Sequence, residues 1–331
     1  MTLIGLRFDL RIPPGGAVSA ADQYAACLDI CRWGDANQAD TVVLSEHHGV
    51  DDGFLPAPIT FAAAVAGATS RIGINIAAVL LPLHDPVRLA EQLAIADLAS
   101  GGRVSVVAGT GYRDEEFAMA GVAYRDRNAL LEEHLSVLRR AWTGEYFEWR
   151  GRRIRVLPRP LTPGGPMVLL GGSTVGAARR AARLRCGFFP ASADPALAAA
   201  YADEAAAVGF AEGFCSLHAR LGFVHVSNDP ERDWARILPH AQYEARVYHG
   251  WQRVGQTSAV AVDEPDSTEA LRSSGIYRVL TPDECVALHD SLGDFGTFLL
   301  HPLMGGIPPE LAWESLELFA AKVLPRIRPA P

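Results

Sequence analysis

Short runs rich in Val, Ile, Leu and Phe recur along this chain, and most are followed by a longer, Ala-rich amphipathic stretch. That alternation is the pattern of parallel strands joined by crossover helices. Strands are expected at Leu3–Leu10, Thr41–Leu44, Ile72–Leu80, Val104–Ala108, Met167–Leu170, Gly187–Phe189, Leu217–Val226 and Phe295–Leu300. Helices are expected at Ala20–Ala36, Ala57–Thr69, Pro86–Ala99, Arg127–Trp142, Val175–Arg185, Pro195–Val208, near Asp233–His249, and at Pro309–Val323. Ser19, Asp85 and Asp126 are placed to cap three of them, and Pro86 takes a first-turn position where its missing N–H costs nothing. Strands covered by helices on one side and a packed interior on the other read as nearly continuous apolar runs, as these do. Eight such units favour an α/β fold of the (β/α)8 TIM barrel type over an open sheet.

Two stretches interrupt the alternation. Residues 144–165, "GEYFEWRGRRIRVLPRPLTPGG", read as a hairpin and a Pro-rich connector inserted before strand five. Residues 227–280, after strand seven, are longer and more mixed and read as a lid or insertion. Neither has the composition of a separate unit, so 1–331 is expected to be one domain. With 49% hydrophobic residues in 331 the chain can bury a sizeable core. Its net charge of -8 gives no footprint for nucleic acid or an anionic membrane, which leaves a small molecule as the expected partner. Five cysteines without a C-x-x-C pair fit a reducing, cytoplasmic setting, and the N-terminus reads as a first strand, neither signal peptide nor membrane span.

In a barrel the chemistry belongs at the C-terminal strand ends. That rule selects Glu46, His47 and His48 after strand two, residues 77–83 after strand three, "GTGYRDEEF" after strand four and "GGSTVG" after strand five. The last is strand, glycine-rich turn and helix, a geometry that aims backbone N–H groups at an anion. Its spacing from Gly171 is G-x-S-x-x-G, which lacks the second glycine of a dinucleotide fingerprint, and Val175 breaks the hydrolase elbow. In the strand-four loop Gly109 and Gly111 allow close approach to a flat ligand, and Arg113 is placed either to pair a phosphate or to bridge to Asp114 or Glu116. The acids that follow read as a solvated helix start.

The E-H-H group has three readings. Adjacent histidines on an extended chain point to opposite sides, which disfavours a metal site. A buried imidazole bonded to a carbonyl is the structural reading. The functional one is a rim histidine that holds or moves a proton, with Glu46 fixing its tautomer. Of the other histidines, His84, His225 and His301 are candidates to face the rim, and His134 is expected on a helix surface.

Several motifs together resemble one family, the bacterial luciferase-like flavin-dependent monooxygenases: "LSEHHGVDDG", "RIGINIAAVLLPLHDPVRLAEQLAIADLASGGR", "GTGYRDEEFAMAGV", "ALLEEHLSVLRRAWTGE", "VLPRPLTPGGPMVLLGGST" and "HPLMGGIPPELAWESLELFAAKVLP". The resemblance implies a barrel that binds reduced flavin mononucleotide (FMN) at the strand ends. There molecular oxygen would oxidise a small organic substrate through a flavin 4a-peroxide. It also implies a separate flavin reductase and a homodimer. By the same resemblance His47 lies beside the oxygen adduct, backed by Glu46 and His48. Ala77–Ala78 is a non-proline cis bond against the isoalloxazine. Gly171, Gly172, Ser173 and Thr174 form the phosphate turn, and Gly109, Thr110, Gly111, Tyr112 and Arg113 form the second cofactor loop. Relatives commonly carry an arginine where Thr110 stands, leaving Arg113 as its substitute or the flavin loosely held. The rival on the same fold is a deazaflavin hydride-transfer enzyme, against which the "GYRDEEF" loop favours flavin. A rival of another class is a non-catalytic flavin-binding or partner subunit, against which the intact E-H-H argues.

Overall fold

In a computed structural model, residues 2–217, 221–252, 260–293 and 296–328 are described. Seven parallel strands form one curled sheet: β1 (Leu3–Phe8), β2 (Thr41–Leu44), β3 (Gly73–Leu80), β4 (Val104–Gly109), β7 (Met167–Gly172), β8 (Gly187–Pro190) and β11 (Thr297–Leu300), in the order β11-β1-β2-β3-β4-β7-β8. A second parallel pair joins β9 (Phe223–Val226) to β10 (Tyr277–Leu280), and β5 (Phe147–Trp149) and β6 (Arg152–Ile154) make the expected hairpin. The expected ring of eight thus takes the form of a seven-stranded sheet with a separate parallel pair, to which β10 is an unexpected addition. The strand expected at 217–226 starts at Phe223, and its residues 218–220, like residue 295 of the last strand, lie outside the described residues.

The helices are α1 (Ala20–Ala36), α2 (Pro58–Ala68), α3 (Pro86–Ser100), α4 (Asp114–Ala120), α5 (Arg127–Ala141), α6 (Val175–Arg183), α7 (Pro195–Ala207), α8 (Pro230–Gly250), α9 (Thr268–Ser273), α10 (Pro282–Ser291) and α11 (Pro309–Leu318). Ser19 caps α1 and Asp85 caps α3, ahead of Pro86, as expected. Asp126 makes no capping bond, because a 3-10 turn over Tyr124–Asp126 already holds it in helical geometry. Residues 230–250 of the expected lid form a helix that buries Trp234, Ile237, Ala241 and Tyr248, so this part belongs to the packed helical layer. Residues 253–259 of that lid lie outside the described residues. Among the described residues no helix is long and apolar enough to cross a membrane.

The two faces of the sheet differ. The convex face carries Ile4, Leu6, Phe8, Val42, Leu44, Ile74, Ile76 and Val106, all buried under the helices. Each such side chain contributes about 1.5–3 kcal/mol by leaving water. Several concave positions are smaller or more polar, among them Thr41, Ser45, Asn75, Ala77 and Gly171, beside apolar ones such as Val43, Val107, Leu169 and Leu299. Instead of a packed interior they line a cavity of about 830 Å³ that reaches from Leu3, Thr41 and Thr297 at the strand starts to the loops at the strand C-termini.

Candidate active site

The residues after β2 remain extended, so successive side chains face opposite ways. His47 turns into the cavity, and Glu46 and His48 turn to each other. The carboxylate that meets His47 is Glu116, on the first turn of α4: His47 Nδ1 lies 2.8 Å from Glu116 Oε1. The same oxygen accepts from His48 N–H at 2.9 Å and from Arg113 Nη1 at 3.4 Å. The expectation that Glu46 sets the His47 tautomer is therefore corrected; the solvated helix start holds for Asp114 and Glu115, which are exposed, but not for Glu116, which is 1% exposed.

An ionised Glu116 can only accept, so His47 carries its proton on Nδ1 and leaves Nε2 as the acceptor. Tyr112 Oη sits 3.2 Å from Nε2. Burial pushes the Tyr112 phenol well above its usual range, so it stays protonated and donates. Burial lowers the His47 pKa below the usual histidine value, opposed by the bond to Glu116 and its charge. Burial raises the Glu116 carboxyl, but the bond from His47 and the nearby cations outweigh it and hold it down. The resting pair is a neutral imidazole against a carboxylate. Phe54 and Trp251 pack on the imidazole, with ring centroids 4.7 and 4.6 Å away.

Glu46 instead ties two strand ends together. Its Oε1 accepts from His48 Nε2 at 2.8 Å and His84 Nε2 at 2.7 Å, and its Oε2 from Leu80 N–H at 2.7 Å. Burial pushes this carboxyl up, yet those bonds prevail and hold its pKa at about 2. The bond with Glu46 in turn raises the His48 pKa.

The peptide Ala77–Ala78 is cis, and both residues line the cavity. Beside them a Cβ on Gly109 would come within 3.1 Å of Ala78 Cβ, so a side chain there would crowd this wall. Gly111 takes φ +74°, and a Cβ there would meet the Phe117 ring at 2.9 Å. At the far end Gly171, Gly172, Ser173 and Thr174 form the turn into α6, with Thr174 accepting from Ala177 N–H as its cap. Thr110, Gly111 and Tyr112 also line the cavity.

Of the expected site residues, His48 and Arg113 stand outside it. The Arg113 guanidinium donates to the His48 carbonyl at 2.9 Å and stacks on Trp251 at 4.5 Å, so its role is to hold the E-H-H segment rather than a phosphate. The cations beside the turn into α6 are Arg127 and Arg180, with Asn128 between elements: Arg180 Nη1 donates to Asn128 Oδ1 at 2.9 Å. Sequence reasoning missed both, although Arg180 lies on the helix opened by the glycine turn. It named Glu116 only as a partner for Arg113, which it meets at 3.4 Å, and missed its pairing with His47. His134 proves buried against the Leu81 carbonyl, and His301 is fully buried between Asp9 and Glu244, 3.7 Å from each.

A family model described as luciferase-like monooxygenase matches residues 8–289. Over 131 residues, 38% of this chain, the sequence is 32% identical to the alkanal monooxygenase alpha chain of Photorhabdus luminescens. The chain spans about a third of the length of the curated relatives it matches, 36% for that protein and 35% for an uncharacterized protein of Sinorhizobium fredii. A monooxygenase from Streptomyces bottropensis superposes with a TM-score of 0.80 at 25% identity, covering 98% of this chain and 99% of its own. The oxygenating constituent of 3,6-diketocamphane monooxygenase from Pseudomonas putida, in complex with FMN, reaches 0.76 at 20% identity over 99% of each chain. An F420-dependent secondary alcohol dehydrogenase reaches 0.72 at 15% identity, again over 99% of each chain.

Proposed function

The chain belongs to the luciferase-like monooxygenases, and from that premise we propose that it is an FMN-dependent monooxygenase acting on a small organic molecule. The observation that carries the reading is the His47–Glu116 pair facing a flat-walled cavity whose far end bears two arginines and a helix N-terminus. These residues fit FMN. Arg127, Arg180, Ser173 and the α6 N-terminus suit a phosphate, and the Ala77–Ala78 and Gly109 wall suits a planar ring system. Reduced flavin would supply the electrons that activate oxygen. The deazaflavin alternative shares this wall, and FMN is preferred for the short, doubly cationic phosphate end.

On this reading His47 Nε2 accepts or returns a proton at the reacting centre, and Glu116 stabilises the imidazolium that forms meanwhile. Tyr112 keeps Nε2 oriented between transfers. Phe54 and Trp251 keep water from the imidazole. Tyr248, Gln252 and Val260 bring the 227–280 segment against the cavity, where it would cover the substrate. Reduced FMN is expected to arrive from a separate reductase, and the enzyme to work as a homodimer in the cytoplasm.

The test is His47→Ala, titrated with FMN and with F420 and then mixed, reduced, with oxygen. FMN should bind the variant nearly as tightly as the native chain, and proton-dependent turnover of the bound flavin should fall. Unchanged turnover, or tight F420 binding in place of FMN, refutes the assignment.

A further inference from the structure

The connection from α5 to β7 enters the sheet at the strand starts, the pole opposite the loops that carry His47 and Ser173. Residues 139–159, which include the β5–β6 hairpin, hold seven arginines against two glutamates, in a chain whose acids outnumber its bases by 38 to 30. All seven are exposed. Among the described residues only Arg150 of the seven has a carboxylate within ion-pair distance, that of Glu133 at 2.8 Å. Arg153 and Arg155 lie against one ring instead, with guanidinium carbons 4.0 and 5.1 Å from the centroid of Tyr146. Arg155 Nε donates to the Gly144 carbonyl at 2.8 Å, and Arg159 crosses the same glycine so closely that a Cβ there would lie 2.7 Å from its Cδ. Arg153 and Arg159 make no hydrogen bond among the described residues. Leu157, Arg159 and Leu161 alternate along the Pro-rich connector that follows, all exposed. The apolar members are open to solvent: Tyr146 is 56% exposed, and Leu157 and Leu161 are 55% each.

Three guanidinium groups gathered around one ring and one glycine repel each other, and an anion that meets them together relieves the repulsion. A guanidinium stacked on a ring keeps its N–H edge for such an anion, in the fork that matches a carboxylate. The neighbouring side chains say which kind of anion. A nucleic acid would leave Leu157 and Leu161 in water, and beyond the patch its phosphates would meet a chain of net charge -8. A protein segment buries the leucines and Tyr146 while it pairs the arginines, and Arg, Tyr and apolar side chains together are the make-up of protein interface centres. Two copies of this chain meeting through the face on a two-fold axis would set arginine against arginine. We propose that the hairpin and its connector form a docking face for an acidic segment of another protein, in which carboxylates alternate with apolar side chains. Such a partner sits at the strand starts and leaves the loops around His47 uncovered. The docking face stands whatever reaction the cavity performs.

The probe is a short peptide of alternating Glu and Leu, titrated calorimetrically into the full chain at physiological ionic strength, beside its Gln–Leu counterpart and an oligothymidylate of equal charge. The native chain should bind one Glu–Leu peptide saturably, and about tenfold tighter than the Gln–Leu peptide, with a preference that shrinks as salt is added. Arg153→Gln, Arg155→Gln and Arg159→Gln combined should weaken the Glu–Leu peptide about tenfold, the sum of three exposed ion pairs. A control that removes the same charge elsewhere, Arg32→Gln, Arg88→Gln and Arg125→Gln combined, should stay within about twofold of the native affinity, because those sites are remote and screened. Leu157→Ser with Leu161→Ser should weaken the peptide about tenfold at low and high salt alike, since buried apolar area is not screened. All these positions are exposed, so every variant is expected to fold as the native chain does. No saturable binding of the Glu–Leu peptide, or equal losses in the two arginine triples, overturns the proposal. So does tighter binding of oligothymidylate, which makes the face a nucleic-acid site. Self-association of the native chain that the Arg153, Arg155 and Arg159 substitutions abolish also overturns it, by making a second copy the occupant.

Discussion

Replacing Glu116 with Gln removes one charge and little else. The amide oxygen can still accept from His47 Nδ1 and His48 N–H, so the change bears on charge rather than shape. In the native chain one oxygen, 2.8 Å from Nδ1, stabilises the imidazolium whenever Nε2 takes a proton. A hydrogen bond to a charged partner is worth about 1.5–3 kcal/mol and a neutral one about 0.5–1.5. The difference, roughly 1–1.5 kcal/mol, is about a tenfold loss in the basicity of Nε2. The sign follows from the environment. Burial already lowers His47 and Glu116 opposes it, so losing the anion lowers His47 further. Two assays apply: the titration of the His47 ring protons by NMR, identified by their absence in His47→Gln, and the pH dependence of single-turnover reoxidation of bound FMN. The expected result is an acid limb moved down by about one pH unit and a plateau lowered about tenfold. An unmoved limb, or one moved upward, refutes the pairing of Glu116 with His47.

Glu46→Gln separates the two carboxylates. The Glu46 pKa is held at about 2 against 4.5 for a free glutamate, so its stabilisation is fully present above pH 4.5 and lost as pH falls through about 2. Urea denaturation at pH 7 should show a loss of up to about 3 kcal/mol that narrows below pH 4.5, with the acid limb of turnover unmoved. Arg180→Met should weaken FMN about tenfold to a hundredfold and leave riboflavin binding unchanged, because only the phosphate is addressed; equal losses for both flavins would place Arg180 elsewhere.

The strands that built the sheet were readable as short runs rich in Val, Ile, Leu and Phe, of which the convex positions, such as Ile74 and Ile76, are the buried ones. β10 was not, since "YRVL" is four residues long and pairs only with β9. Yet α10 announces itself through the capping box of Thr281 and Glu284, a signal present in the sequence and passed over. At the site the turn before α6 and residues 109–112 of the strand-four loop lie along the cavity at the strand ends, whereas Arg113 stands outside its lining. The partner of His47 did not, because nearness in sequence was taken for nearness in space. Strand parity puts residues 46 and 48 on one side and 47 on the other, and the partner of 47 comes from sixty-nine residues further on. Glu116 was disguised as one of three acids in a first helical turn, a place where acids need no further explanation.

The smallness of the concave residues has an evolutionary corollary. A barrel whose interior is packed in layers loses stability with each interior substitution, since each one opens a void or forces an overlap. Here the positions that shape the binding space, such as Thr41, Asn75 and Ala77, are not the ones that hold the helices to the sheet. Exchanging them alters the contour of the cavity while the convex layer of Ile, Leu and Phe keeps the fold. A chain built this way can drift from one substrate to another through sequences that all remain folded.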